Sequence, residues 1–103
     1  MDWVSINGKI IAKSEATVSV LDRGVLYGDG VFTTIKVRNK VPLFMHLHYD
    51  RLVKWLKAIK YEVIPSRHEV TKSIDSLLRK NQIVDGVLKI IITGGVNPED
   101  TSI

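Results

Sequence analysis

The chain carries, at residues 22–32, the stretch Asp22-Arg23-Gly24-Val25-Leu26-Tyr27-Gly28-Asp29-Gly30-Val31-Phe32, and a β-branched run to Val37 follows directly. Its three glycines in seven residues allow the backbone to take positive φ or to approach another group closely. Tyr27 and Phe32 add rigid aromatic surface on either side. We therefore predict a loop that holds a ligand against a strand. The alternative is a glycine-rich turn that only feeds a buried strand.

The strand that follows is predicted over residues 31–38. Side chains alternate between the two faces of a strand, so Phe32, Thr34 and Lys36 share one face. The opposite face carries Val31, Thr33, Ile35 and Val37. One face can therefore belong to the core while the other meets a ligand.

Turn signals divide the rest of the chain into short strands. Asn7-Gly8 between two apolar stretches is a strong signal for a two-residue β-hairpin, because both positions tolerate positive φ. Asn39-Lys40 predicts a second hairpin into a strand over residues 41–44. A β-branched run at residues 87–93, ended by Gly94-Gly95, predicts a further strand.

Two amphipathic helices are predicted. From about residue 45 to residue 59, the helical spacing of apolar side chains places four of them on one face, namely Leu52, Trp55, Leu56 and Ile59. Ser66 and Glu69 form a capping box that starts a second helix. Together these elements predict an α+β domain, a small antiparallel sheet with two helices packed on it.

Composition limits the class of protein. With 103 residues, 45% of them hydrophobic, the chain can close one core, so we predict one domain. Its formal net charge of +4 is spread along the sequence, and no nucleic-acid-binding motif is present. There is no cysteine for a disulfide or a thiolate metal site, and no apolar run approaches the ~20 residues needed to span a bilayer. We expect a cytoplasmic protein with no membrane or nucleic-acid partner.

Residues 22–32 resemble the N-terminal signature of the class IV aminotransferase family, the fold-type IV pyridoxal phosphate enzymes. A second block, His48-Tyr49-Asp50-Arg51-Leu52, is similar to the family's H-x-x-R-L helix and falls at the usual distance from the first. The resemblance implies that residues 1–103 form the N-terminal small domain of such an enzyme. It also implies that the C-terminal domain, with the lysine that forms the Schiff base, lies beyond Ile103, so no catalytic residue is assigned here.

The resemblance assigns roles to four residues. Arg51 is expected to hold the phosphate of pyridoxal 5'-phosphate, and Phe32, Thr34 and Tyr27 to line the substrate pocket. Without the resemblance, Arg51 would be interpreted as one partner of a surface ion pair. For Tyr27, packing within the loop or a contact between subunits is the alternative.

Departures from the family pattern bear on the reaction. Thr33 and Thr34 stand where family aminotransferases commonly have a glutamate, and Phe32-Thr33-Thr34 looks more like aminodeoxychorismate lyases, which release pyruvate in making 4-aminobenzoate. We favour this lyase over a branched-chain-type aminotransferase. A D-amino-acid aminotransferase comes third, because Glu99 and Asp100 stand where an arginine would be expected to hold the substrate carboxylate.

Two further expectations concern association. A domain separated from its partner domain exposes apolar surface, so a non-catalytic interaction domain is an alternative function. Family members usually dimerise, and the resemblance therefore implies a homodimer that acts on a small amino-acid-like substrate.

Overall fold

The computed structural model describes residues 2–61 and 63–97, so residues 98–101, which decided the rank of the D-amino-acid hypothesis, lie outside it. The strands are β1 (Trp3–Ile6), β2 (Lys9–Ala12), β3 (Gly30–Arg38), β4 (Val41–Pro42) and β5 (Gly86–Thr93). The helices are α1 (Arg23–Tyr27), α2 (Met45–Ala58) and α3 (Arg67–Lys80), with a short 3-10 turn at Lys13–Glu15. The predicted α+β class is confirmed.

The strands form two antiparallel sheets rather than a single small one. Strands β1 and β2 pair with each other, and β3 lies between β4 and β5 in the second sheet. Both predicted hairpin turns are present. Asn7 and Gly8 have φ values of 52° and 81°, and Asn39 and Lys40 have values of 50° and 67°. Two consecutive residues with positive φ match the right-handed twist of the paired strands, which is why these turns are tight.

The alternation along β3 matches the prediction. Thr33, Ile35 and Val37 are buried, whereas the residues between them are exposed. Ile35 and Val37 pack against side chains of α3 and β5 in the main core cluster, which contains Ile35, Val37, Ile74, Leu78 and Leu88. The strand therefore separates a core face from an exposed face.

Both predicted helices form: α2 lies close to its predicted bounds, and α3 begins directly after the predicted cap at Ser66. Leu52 and Leu56 of α2 are buried, whereas Trp55 and Ile59, the residue that follows the helix, remain partly exposed. On α3, the Ser66 hydroxyl accepts a hydrogen bond from the Glu69 backbone N–H at 3.1 Å, which is the N-cap expected from the sequence. Helix α2 packs against β3, which brings the glycine-rich block and the H-x-x-R-L block together.

Two local predictions are corrected. The run 22–32 is not all loop, since it contains α1, with Asp22 as N-cap and Gly28 in the left-handed conformation as C-cap. Strand β4 ends at Pro42 instead of continuing to Phe44. The Leu43 N–H still donates to the Lys36 carbonyl at 2.8 Å, and Phe44, with φ 56°, then turns the chain into α2.

Within the described residues, no helix is long and apolar enough to cross a membrane. The same residues contain no group of three or more histidine, cysteine or acidic side chains that could hold a metal ion.

Candidate functional site

A cleft of about 400 Å³ opens between β3 and α2. It is lined by Gly30, Val31, Phe32, Thr33, Thr34, Arg51 and Trp55. Five consecutive residues of β3 line the cleft because the cleft runs along the edge of this strand and not over one of its faces. Strand β4 pairs only with Val37 and Arg38, so the earlier part of β3 has no strand partner on that side among the described residues. The volume of the cleft lies within the range of small-molecule sites, roughly 300–1,000 Å³.

Arg51 lies on the helical side of this cleft. Its guanidinium carbon is 5.5 Å from the centre of the Trp55 ring, one helical turn further along α2, a distance typical of a cation–π contact. No carboxylate of the described residues lies within 4 Å of Arg51, and the neighbouring Asp50 pairs with Arg67 instead, at 3.1 Å. The surface ion pair considered as an alternative for Arg51 is therefore not formed within residues 2–61 and 63–97.

Phe32 and Thr34 lie on the strand side of the cleft. The Phe32 ring is 55% exposed, and the Lys89 ammonium lies 4.5 Å from its centre. Lys89 is directly opposite Thr34 in the β3–β5 register, so it shares the exposed face of the sheet with both residues. Sequence reasoning missed Lys89 because its partner lies more than fifty positions away in the chain.

Tyr27 does not line this cleft. It is the last residue of α1 and is 60% exposed. The predicted place of Tyr27 in a substrate pocket therefore stays a prediction, as does its alternative role in packing or in a subunit contact.

A partly buried hydrogen bond crosses from the strand to the helix beside the cleft. Thr33 Oγ1 and His48 Nδ1 lie 2.7 Å apart, and Thr33 is the one polar residue that the fold buries within the described ranges. Burial, and to a lesser extent the charge of Arg51, lowers the pKa of His48 below its ordinary value of 6.5. Neither residue was assigned a role from the sequence, although His48 belongs to the H-x-x-R-L block.

The lowered pKa of His48 predicts a pH dependence. The folded protein resists protonation of this imidazole more than the unfolded chain does, so the stabilising effect of neutral His48 is complete above pH 6.5 and shrinks as the pH falls below it. We expect the difference in unfolding free energy between the unaltered protein and His48→Gln to decline on acidification from pH 7 to pH 5. Urea unfolding at several pH values measures this, and a constant difference would contradict it.

The glycine-rich run is fastened to the end of β5. Thr93 Oγ1 donates to Asp22 Oδ2 at 3.1 Å, and Asp22 Oδ1 accepts the Gly24 N–H at 2.8 Å. Arg23 Nε donates to the Gly94 carbonyl at 3.1 Å, and its Nη2 donates to the same oxygen. We call these contacts the α1 clasp. Asp22 and Arg23 thus make structural hydrogen bonds and do not line the cleft.

Asp29 extends these contacts to the region after α2. Its carbonyl accepts hydrogen bonds from the Gly94 N–H at 3.1 Å and from the Tyr61 hydroxyl at 2.8 Å. Burial, then the Asp29 carboxylate, raises the pKa of Tyr61. The run that was predicted to hold a ligand therefore joins β5, the start of β3 and the segment after α2, which fixes where the cleft begins.

Gly30 is required by a close backbone approach. A Cβ at this position would lie 2.7 Å from the Ile92 carbonyl oxygen, and this backbone atom cannot rotate away. We expect Gly30→Ala to lower the unfolding free energy by about 1–3 kcal/mol. Gly86→Ala is the matched control in the same sheet, because its Cβ would meet only Ile83 Cγ2, at 3.4 Å. Thermal unfolding of both variants measures the effect, and equal losses would show that the clash is not its cause.

A second concavity, of about 670 Å³, lies towards the other end of β3 and includes Lys36, Arg38 and Asp85 in its lining. Asp85 Oδ1 already accepts the Asn39 N–H at 2.9 Å, where it stabilises the hairpin turn. None of the residues that the sequence predicted for the site lies there. The smaller cleft is therefore the better candidate site, because it joins Arg51 to Phe32 and Thr34.

This fold is that of the fold-type IV aminotransferases. A T.th. branched-chain amino acid aminotransferase, in complex with N-(5'-phosphopyridoxyl)-L-glutamate, superposes with a TM-score of 0.75 over 84% of this chain and 31% of its own, at 23% identity. The family model of amino-transferase class IV matches residues 30–102. The chain belongs to the class IV aminotransferase family.

Curated relatives of different activity are equally similar to this chain. An aminodeoxychorismate lyase from Bacillus subtilis (strain 168) is 34% identical over 84% of the chain and 30% of its own length. A D-alanine aminotransferase from Staphylococcus aureus (strain MSSA476) is also 34% identical, over 93% of the chain and 34% of its own length. The chain thus spans about a third of each of these relatives, and identity does not distinguish their two activities.

Proposed function

We propose that this chain supplies the phosphate-anchoring and substrate-pocket part of a pyridoxal-phosphate-dependent class IV enzyme that acts on an amino-acid-like substrate. The observation that carries the proposal is the cleft that joins Arg51 to Phe32 and Thr34. Family membership and the phosphopyridoxyl compound bound by the T.th. relative support the choice of cofactor.

The chemistry of the cleft fits a phosphate ester. Arg51 presents a planar fork of N–H donors that can bind phosphate oxygens in pairs, and within the described residues no carboxylate competes for it. Trp55 supports the guanidinium from one side, which limits the side-chain freedom that would be lost on binding. Arg51 is thus the group that would hold the phosphate.

The remaining groups would shape the substrate pocket. Phe32 offers an apolar ring, and Thr34 a hydroxyl that can donate or accept, both from the strand side of the cleft. When bound, the cofactor supplies the electron sink for bond changes at the substrate's α-carbon. The family resemblance implies a lysine that attaches the cofactor, and the proposal includes such a lysine outside the described residues.

Within this family we propose aminodeoxychorismate lyase as the activity, with branched-chain-type transamination as the alternative. The support for the lyase is the Phe32-Thr33-Thr34 sequence and the B. subtilis relative. Thr33 occupies a buried position and bonds to His48, so the threonine at this point of the motif has a structural partner. A glutamate there would bring a carboxylate into the same buried environment, at a cost in desolvation.

The test uses the complete polypeptide that carries this sequence. Binding of pyridoxal phosphate is followed by absorbance, and the loaded protein is then offered aminodeoxychorismate or, separately, a branched-chain amino acid with 2-oxoglutarate. Pyruvate and 4-aminobenzoate formation supports the lyase, whereas glutamate formation supports the transaminase. Cofactor binding with neither product would leave the D-amino-acid aminotransferase or the non-catalytic interaction domain, and failure to bind the cofactor would overturn the proposal.

A further inference from the structure

The hydrogen bond between Thr33 and His48 is the one side-chain hydrogen bond that joins α2 to β3 within the described residues. The other side-chain hydrogen bonds of α2 run towards the start of α3, from Tyr49 to the Pro65 carbonyl and between Asp50 and Arg67. At the start of α2, Phe44 supplies no side-chain cap. Polar attachment of the helix to the strand side of the cleft therefore depends on His48.

His48 is close to Arg51 on the helix. Residues three apart lie on neighbouring positions of one helical face, about 4.5 Å apart along the axis. The bond to Thr33 thus attaches α2 to the strand at His48, less than one helical turn before Arg51. On the strand, Thr33 is adjacent to both Phe32 and Thr34, which line the cleft. The bond joins its two walls where the predicted ligand groups lie.

We propose that His48 is a positioning residue, which through its hydrogen bond to Thr33 holds helix α2 at the spacing from β3 that lets Arg51 bind a phosphate group beside Thr34. This inference rests on the proposed function, because it assigns Arg51 to the phosphate. A bidentate contact depends on the orientation of the guanidinium as well as on its charge, so a small displacement of α2 weakens it.

The pair is chemically suited to this role. A neutral imidazole carries one donor and one acceptor, and a hydroxyl can pair with either nitrogen. The burial that lowers the pKa of His48 favours this neutral form. If Thr33 lost its hydroxyl, His48 Nδ1 would keep no partner among the described residues, and the helix would lose its side-chain hydrogen bond to the strand.

The experiment compares Thr33→Val with Thr33→Ser in the complete polypeptide. Valine keeps the β-branched shape and removes the hydroxyl, whereas serine keeps the hydroxyl. The Kd for pyridoxal phosphate is measured by absorbance titration, and thermal unfolding without cofactor is measured in parallel. We expect Thr33→Val to raise the Kd about tenfold. Thr33→Ser should restore it to within about twofold of the unaltered protein.

A double-mutant cycle with Arg51→Gln separates positioning from a general loss of stability. If His48 acts through Arg51, Thr33→Val should raise the Kd by less than about twofold once Arg51 is already replaced. A full tenfold increase in that background would overturn the inference. An unchanged Kd in Thr33→Val, or equal effects of valine and serine, would also overturn it.

The same measurements distinguish this inference from the proposed function. A raised Kd in Arg51→Gln together with an unchanged Kd in Thr33→Val removes only the positioning role. An unchanged Kd in Arg51→Gln overturns the phosphate assignment, and with it both proposals.

Discussion

Replacing Ile35 with alanine is expected to lower the free energy of unfolding by about 2–5 kcal/mol. Ile35 is 0% exposed and lies in the core cluster with Val37, Ile74, Leu78 and Leu88. Removing three carbon atoms from this position takes away contacts with both α3 and β5 and leaves a cavity that the surrounding side chains can only partly fill. Urea unfolding of the complete polypeptide, followed by circular dichroism, measures the loss.

Lys36→Ala is the control for this prediction. Lys36 is the next residue of β3, and its side chain lies on the exposed face of the sheet. Surface substitutions of this kind change the unfolding free energy by about 0.5 kcal/mol or less. A loss in Lys36→Ala comparable to that in Ile35→Ala would contradict the assignment of the two faces.

The faces of β3 could be predicted from sequence because the period of two is a local property. The same holds for the turns, where Asn7-Gly8 and Asn39-Lys40 take the positive φ values that two-residue hairpins need. It also holds for the Ser66 cap, whose acceptor lies only three residues before its donor. In each case the residues that specify the structure are neighbours in the chain.

Helix α1 could not be predicted in the same way. It has only five residues, one of them a glycine, so intrinsic helix propensity does not favour it. Its position depends on the α1 clasp, in which Arg23 and Asp22 bond to residues 71 positions away. Bonds between such distant residues leave no periodic pattern in the sequence. The glycine-rich run was interpreted as a ligand-holding loop; Asp22 and Arg23 at its start fasten the fold, and Gly30, Val31 and Phe32 at its end line the cleft.

The course of the candidate cleft along the strand edge could not be predicted from the sequence, and the ligand contact of Phe32 and Thr34 stays a prediction. The alternation of β3 suggested that a ligand would meet one face, but the cleft runs along the strand edge and is lined by consecutive residues from both faces. That edge is open because β4 stops at Pro42 and the chain turns into α2 at Phe44. The Thr33–His48 bond left no signal in the sequence, because it depends on how α2 packs against β3.

Replacing Arg51 with glutamine is expected to raise the Kd for pyridoxal phosphate about 100-fold in the complete polypeptide. Loss of a charge-assisted, paired contact to a phosphate costs about 2–3 kcal/mol, and each 1.4 kcal/mol corresponds to a factor of ten. Arg51→Lys keeps the charge but not the planar fork, so we expect a Kd between those of the unaltered protein and Arg51→Gln. Absorbance titration with pyridoxal phosphate, with inorganic phosphate as competitor, measures both.

Lys54→Gln is the matched control for this prediction, because it removes the same charge from the same helix. Lys54 is exposed and does not line the cleft, so its replacement should change the Kd by less than about twofold at physiological salt. Equal effects of Lys54→Gln and Arg51→Gln would mean that the overall positive charge of α2, and not the guanidinium fork, attracts the phosphate. A large effect confined to Arg51 would place the phosphate contact at that side chain, and Arg51→Lys then decides whether the planar fork is needed. Among the described residues, Trp55 contacts the Arg51 guanidinium and no carboxylate competes for it, so we expect the fork to be needed.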